Sequence, residues 1–188
     1  GDAHLRWLDE QLRAAAAAGR RALLVGHVPP TAELYRPACL TRYRALACQH
    51  AATVVGHLFG HTHEDQFHVV RDDAGAPCAT VNVAPSLSPS YNPAVRLWSS
   101  DPSNGTLLDY QQLFADIVRA NAAGRLHLVD EYAPRRAYHL PDLSPASWAR
   151  LDELLQRNAS APLARLYHRF RYVSSDEPHR RWLLRADV

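Results

Sequence analysis

A chain of 188 residues, 47% hydrophobic and 21% charged, can bury one domain-sized core or a large part of one. Its formal charge of +2, with arginines scattered and no basic run, gives no support to a nucleic-acid polymer as partner. The longest apolar stretches, such as residues 21–28, fall far short of a membrane-spanning segment.

Residues 4–18 carry Leu5, Leu8 and Leu12 with Trp7 at helical spacing, acidic residues early, and Gly19 where a C-terminal cap belongs. That pattern predicts an amphipathic helix. Residues 22–25 read as a short buried strand that leaves through Gly26-His27, and Pro29-Pro30 forbids its continuation. Residues 40–50 predict a second helix with Tyr43, Leu46 and Ala47 inward. The chain then returns as a second buried strand, 53–59, completing a βαβ-like unit. His57 lies inside that strand and reads as a core histidine or a support for a neighbouring ligand.

Two β segments, 66–70 and 79–83, flank the Asp- and Gly-bearing turn 71–75 and predict a hairpin, with His68 at an edge or surface position. Residues 82–93 hold three prolines and predict a loop of fixed shape. Residues 95–99 resume as a strand and 101–105 as a turn. From Leu107 onward the reading is helical: 109–122, 127–138, 144–157 and 162–172 all show three- and four-residue apolar spacing, with Ser144-Pro145 as a start and Gly124 as a stop. The expected class is α/β (α+β), divided into 1–106, a helical subdomain 107–175 and a polar tail 176–188.

Cys39, Cys48 and Cys78 are odd in number, so at least one is free or pairs outside this chain. The chain contains no Met and opens directly on what reads as a helix start, which points to a portion of a longer product. Asn104-Gly105-Thr106 and Asn158-Ala159-Ser160 match the glycosylation acceptor pattern and permit a secretory origin.

The chemistry concentrates where two apolar runs end in glycine and then histidine: Gly26-His27-Val28-Pro29-Pro30, and Gly60-His61-Thr62-His63 after Val54-Val55-Gly56-His57-Leu58-Phe59. Imidazole is a neutral nitrogen ligand for zinc, iron or manganese. In an extended segment residues i and i+2 point to one side, so His61 and His63 are expected to reach a metal centre together. Roughly 0.6 His-x-His pairs are expected by chance from eleven histidines, so it is the position at strand ends that raises the signal. In open α/β sheets ligands gather at that edge. A rigid loop beside such a site lines substrate pockets, which makes Tyr91 and Asn92 candidates for substrate contact; simple turn chemistry is the alternative.

These residues resemble the calcineurin-like metallophosphoesterases, and within them the acid sphingomyelinase group. Gly26-His27-Val28-Pro29-Pro30 is similar to that group's Gly-His-Ile-Pro-Pro element, and Phe59-Gly60-His61-Thr62-His63-Glu64-Asp65-Gln66-Phe67 to its Phe-Gly-His-Thr-His-x-Asp-x-Phe element. Ala84-Pro85-Ser86 followed by Asn92-Pro93-Ala94-Val95-Arg96 resembles its Ala-Pro-Ser…Asn-Pro-Gly-x-Arg run, with Ala94 where glycine is usual. The resemblance implies part of a four-layer α/β/β/α sandwich followed by a C-terminal helical subdomain. It implies two divalent metal ions, zinc in this group, with His27 and His61 on one and His63 on the other. It further implies a phosphodiester substrate, sphingomyelin at a membrane surface, cleaved to ceramide and phosphocholine in lysosomes or outside the cell.

The group's Asp-x-His, Gly-Asp and Gly-Asn-His elements, the last carrying its general-acid histidine, do not occur before Gly26. The chain is therefore expected to be the C-terminal half of the catalytic domain, inactive alone, with the N-terminal half of the same domain as its partner. Two alternatives stay open: a related nucleotide or polyphosphate phosphoesterase of the endopolyphosphatase kind, and a non-catalytic binding module on a truncated phosphoesterase fold.

Overall fold

The computed structural model describes residues 1–175; the polar tail expected at 176–188 lies outside the described residues. Helix α1 (Asp2–Ala17) ends at Gly19, whose φ of 63° is open to a residue without a side chain. Strand β1 (Ala22–Val25), helix α2 (Pro37–Gln49) and strand β2 (Val54–Phe59) form the expected βαβ unit. Strands β3 (Gln66–Arg71) and β4 (Pro77–Val83) form the expected hairpin. The first sheet has the order β1-β2-β4-β3, with β1, β2 and β4 parallel and β3 antiparallel at the edge.

Strand alternation sends the two faces of this sheet into different cores. Val81 and Val83 face α2 with Tyr43, Ala47 and Phe59, and Leu5 and Leu8 of α1 pack against that cluster. Phe67 and Val69 face the other way, into a cluster built around Trp148, Tyr110, Tyr132, Tyr138 and Phe170. A disulfide joins Cys48 of α2 to Cys78 of β4, and Cys39 is free. His68 does sit on the edge strand as expected, but its face is not open: its Nε2 is buried without a hydrogen-bond partner in the structure, and burial lowers its pKa.

The expectation that β1 is a buried strand is corrected. It lies at the edge of the sheet, and Val25 is 75% and Leu23 46% exposed, because among the described residues little covers that side. The cover that exists is close. A Cβ on Gly56 would come within 2.6 Å of a Leu107 methyl and 2.8 Å of a Leu23 methyl, so glycine there lets the second sheet approach the first.

That second sheet corrects the helical reading after Leu107. Strands β5 (Ala94–Ser100), β6 (Leu107–Phe114) and β7 (Val129–Tyr132) pair antiparallel in that order. Of the helix expected at 109–122 only α3 (Ile117–Ala123) exists, closed by Gly124 at φ 63°. Of the helix expected at 127–138 only one turn remains, α4 (Pro134–Ala137). Gln112 shows why the apolar spacing misled: its side chain is fully buried two residues from Tyr110, which fits the alternation of a strand whose interior is partly polar.

Helices α5 (Pro145–Arg157) and α6 (Pro162–Arg171) stand as expected, and the Ser144 hydroxyl accepts the Ser147 N–H as the N-cap of α5. Trp148 of α5 lies 4.7 Å from the Phe67 ring and is 1% exposed. Its truncation to alanine is expected to lower unfolding free energy by about 3–5 kcal/mol, read as a fall in the midpoint of denaturant unfolding at unchanged slope.

Candidate metal centre

Three parallel strands end in step. Gly26 N–H donates to Leu58 O, Gly60 N–H to His27 O, and Ala84 N–H to Phe59 O. The loops that carry His27, His61 and the 84–93 segment therefore leave the sheet side by side at its carboxyl edge, the edge where parallel α/β sheets hold ligands. Close packing tightens the turn before His27, since a Cβ on Gly26 would fall 2.5 Å from the Phe59 ring.

His61 Nδ1 lies 3.1 Å from His27 Nε2, with the two rings edge to face at 5.0 Å between centroids. Both side chains are exposed. The extended geometry assumed for residues 61–63 does not hold: β2 stops at Phe59, and His61 and His63 take φ values of 75° and 60°. Left-handed backbone is disfavoured for a residue with a Cβ and is held only where the surroundings impose it, commonly at functional sites. The two histidines consequently part company, His61 meeting His27 while His63 Nδ1 hydrogen-bonds the Ser90 hydroxyl. Among the described residues no group of three or more His, Cys, Asp or Glu side chains is placed to hold one ion.

The far end of the histidine loop is fixed from below. Asp65 is 5% exposed; its Oδ1 pairs with Arg96 Nη2 at 2.7 Å and its Oδ2 accepts from the Tyr132 hydroxyl at 2.5 Å. Arg96 also donates twice to Gln112 Oε1, at 3.0 and 2.6 Å, and lies 4.1 Å over the Tyr110 ring. Burial alone would lower the guanidinium pKa, but Asp65, Tyr110 and Tyr132 together more than offset it and the shift is upward. Beside it, Asp65 N–H donates to Arg171 O, and Glu64 accepts from Arg171 Nε and from Gln66 Nε2, each at 2.7 Å.

Of the expected substrate contacts, Tyr91 stays near the loop, its hydroxyl donating to Glu64 Oε1 at 3.4 Å and its ring 5.2 Å from that of Tyr172. Asn92 is 7% exposed and both ends of its amide are used by the backbone: Nδ2 donates to Val173 O at 3.0 Å and Oδ1 accepts from Ile117 N–H at 3.1 Å. Asn92 thus ties its loop to two segments distant in sequence. His57 is the core histidine the sequence indicated. It is 3% exposed, lies 2.8 Å from the Tyr43 hydroxyl, and burial pushes its pKa down to about 4.

Sequence reasoning quoted Glu64, Asp65 and Arg96 within the motif elements and Ser90 within the 82–93 loop without giving them a task, and did not single out Arg171 or Gln112. Nothing in the spacing of Glu64 and Arg171, separated by more than a hundred residues, could have paired them.

Residues 75–179 match the family described as acid sphingomyelin phosphodiesterase C-terminal region. The chain belongs to the acid sphingomyelinase family. It is 31% identical over 159 residues to sphingomyelin phosphodiesterase A of Dictyostelium discoideum, covering 82% of this chain and 27% of that protein. It is 31% identical over 160 residues to acid sphingomyelinase-like phosphodiesterase 3b of Homo sapiens, covering 76% and 35%. To cyclic GMP-AMP phosphodiesterase SMPDL3A of Rattus norvegicus it is 30% identical over 185 residues, covering 90% and 41%. The match thus spans between about a quarter and two fifths of those relatives' own length.

Removing a buried charge's partner leaves the other charge uncompensated. Arg96→Met is expected to destabilise by about 3–5 kcal/mol, and amide exchange at Asp65 and its neighbours in the histidine loop should rise with it.

Proposed function

We propose that this chain is the histidine-bearing part of a metal-dependent phosphodiesterase, a hydrolase whose substrate is a phosphodiester of the sphingomyelin class. The observation that carries the reading is the 3.1 Å approach of His27 Nε2 and His61 Nδ1 at the carboxyl edge of a parallel sheet. A tetrahedral ion with Zn–N bonds of about 2.0–2.1 Å sets two imidazole nitrogens roughly 3.3 Å apart, so the pair fits as two ligands of one ion. His63, with Nδ1 held by Ser90, keeps Nε2 for a second ion, in the manner of ligating histidines oriented through their other nitrogen. Two divalent ions, zinc by preference, would supply a hydroxide nucleophile and neutralise phosphoryl charge.

The donor set here is partial, and the fit requires carboxylate or further nitrogen donors, together with a general acid, from elsewhere in the protein. The N-terminal half of the same domain is the proposed source. The exposed apolar side of β1, with Leu23 and Val25, supports a missing layer there. What this chain contributes itself is orientation: Asp65 and Arg171 hold the histidine loop, and Ser90 fixes the His63 ring. Tyr91, beside Glu64, is the proposed substrate contact of the two named from sequence.

A second reading, a nucleotide phosphodiesterase, is favoured by the similarity over 90% of this chain to a protein named as a cyclic GMP-AMP phosphodiesterase. Passage through a secretory or lysosomal route is supported by the Cys48–Cys78 disulfide and by two acceptor asparagines in exposed turns, where Asn104 Oδ1 accepts Thr106 N–H and Asn158 Oδ1 accepts Ser160 N–H. Treatment of the secreted protein with an N-glycan-releasing enzyme is expected to lower its mass, and Asn104→Gln with Asn158→Gln to abolish that change.

The central test uses the full-length protein, with metal content and bis-p-nitrophenyl phosphate hydrolysis measured together. Wild type is expected to hold about two zinc ions per chain, and His61→Ala and His63→Ala each to lose metal and to lower hydrolysis at least 100-fold, about 2.7 kcal/mol in the barrier. A metal-free and inactive wild type would mean the fold has been kept for binding. Sphingomyelin and cyclic dinucleotide turnover by the same preparation separates the two substrate readings.

A further inference from the structure

Below the histidine loop, the polar interior contains two carboxylates and one buried guanidinium. Arg96 is spent on Asp65 and on Gln112 Oε1. Glu131 of β7 reaches that cation only through an intermediary: its Oε2 accepts from Gln112 Nε2 at 2.7 Å and its Oε1 is 2.8 Å from the Ser174 hydroxyl. An ionised Glu131 would therefore be a second negative charge in a desolvated cluster whose cation is already paired, an arrangement that favours a neutral acid.

Ser174 matters because of what surrounds it. Val173 and Ser174 take φ values of 53° and 48°, an unfavourable conformation for residues with side chains, and Val173 is fully buried. From this short segment Val173 O accepts from the Asn92 side chain and Ser175 Oγ from the Asn92 N–H. Asn92 closes the 84–93 loop, and the same loop carries Ser90, the partner of His63. A continuous path of hydrogen bonds thus runs from Gln112 through Glu131 and Ser174 to the loop that orients His63.

We propose that Glu131 is a positioning residue that enters the fold carrying a proton and, so protonated, anchors the Val173–Ser175 segment beneath the loop that orients His63. Its consequence for turnover rests on the phosphodiesterase reading; its consequence for stability does not. The charged groups facing Glu131 are Asp65 from the histidine loop and Arg96 from β5, with Arg169 of α6 reaching the Ser174 hydroxyl at 3.2 Å and the Tyr132 hydroxyl bound to Asp65. Tyr132 is itself held neutral by burial. Burial is also the largest influence on Glu131 and pushes its carboxyl up to about 7, in the same direction as the charge balance.

A carboxyl raised in the folded state from 4.5 to about 7 gives stability that is complete below 4.5 and is lost as pH rises through 7. The folded state is thus favoured in acid and loses this contribution toward neutral pH. The test is the thermal midpoint of the full-length protein between pH 5 and pH 8, comparing wild type with Glu131→Gln, which keeps the shape and cannot ionise. Wild type is expected to lose roughly 5 °C more than the variant over that interval, and the pH profile of bis-p-nitrophenyl phosphate hydrolysis to extend to higher pH in the variant. Midpoints that fall in parallel at every pH would overturn the proposal. Should Glu131→Gln fail to fold, Ser174→Ala removes the anchor while leaving the carboxyl. Faster amide exchange at Asn92 and Ile117 in that variant supports the anchor, and unchanged exchange overturns it. The midpoint requires neither metal nor substrate, so its failure is distinct from failure of the phosphodiesterase reading.

Discussion

The buried ion pair between Asp65 and Arg96 is the constraint on which the arrangement of this molecule turns. Asp65 stands two residues beyond His63, and Arg96 lies on the first strand of the second sheet, so one 2.7 Å contact ties the loop at the end of the first sheet to the body of the other. A pair so placed is costly to desolvate and contributes little net stability unless its remaining donors and acceptors are satisfied. Here they are engaged, by Tyr132 on the carboxylate and by Gln112 and the Tyr110 ring on the guanidinium. The result is a fixed end for a loop whose two histidines hold a backbone conformation they would not adopt freely.

The same constraint explains why the interior between the sheets is unusually polar and aromatic. Tyr132 meets Tyr110 and Tyr138 edge to face and stacks on Phe170 at 4.1 Å, while the Tyr110 and Tyr132 hydroxyls serve the charged cluster. Tyrosine suits that position because its ring supplies apolar area and its hydroxyl a partner. Helix α6 joins the arrangement from the other end of the sequence. Its Arg171 binds Glu64 with the side chain and Asp65 with the backbone carbonyl. The C-terminal helices therefore act on the site directly and are more than a scaffold appended to it.

Membership of the acid sphingomyelinase family fits this organisation. The matched region begins in the β3–β4 turn, downstream of all three candidate ligand histidines. It contains Ser90, Asn92, Arg96, Gln112, Glu131 and Arg171, the residues that hold the histidine loop from outside. The candidate ligand histidines and these supports come from different parts of the chain, and the sheet edge is where they meet.

Sequence alone determined the local and repetitive features. The α1, α2, α5 and α6 periodicities, the βαβ unit, the β3–β4 hairpin, the glycine stops and the core position of His57 were legible because each depends on near neighbours and on one dominant pattern, helical or alternating. The placement of His27 and His61 just beyond two strand ends was legible in the same way. Tertiary structure decided the rest. The strands β6 and β7 were read as helix from three- and four-residue apolar spacing, and only the tertiary partners Arg96 for Gln112 and Ser174 for Glu131 make a partly polar sheet interior reasonable. Asn92 was singled out for its place in a rigid loop, and its structural partners, Val173 and Ile117, were not legible because they are distant in sequence. β1 looked buried because its composition is apolar, while exposure depends on which elements lie against it. A pattern records what a residue prefers; whether a charge finds its counter-charge, or a strand its cover, depends on contacts between segments that no local pattern encodes.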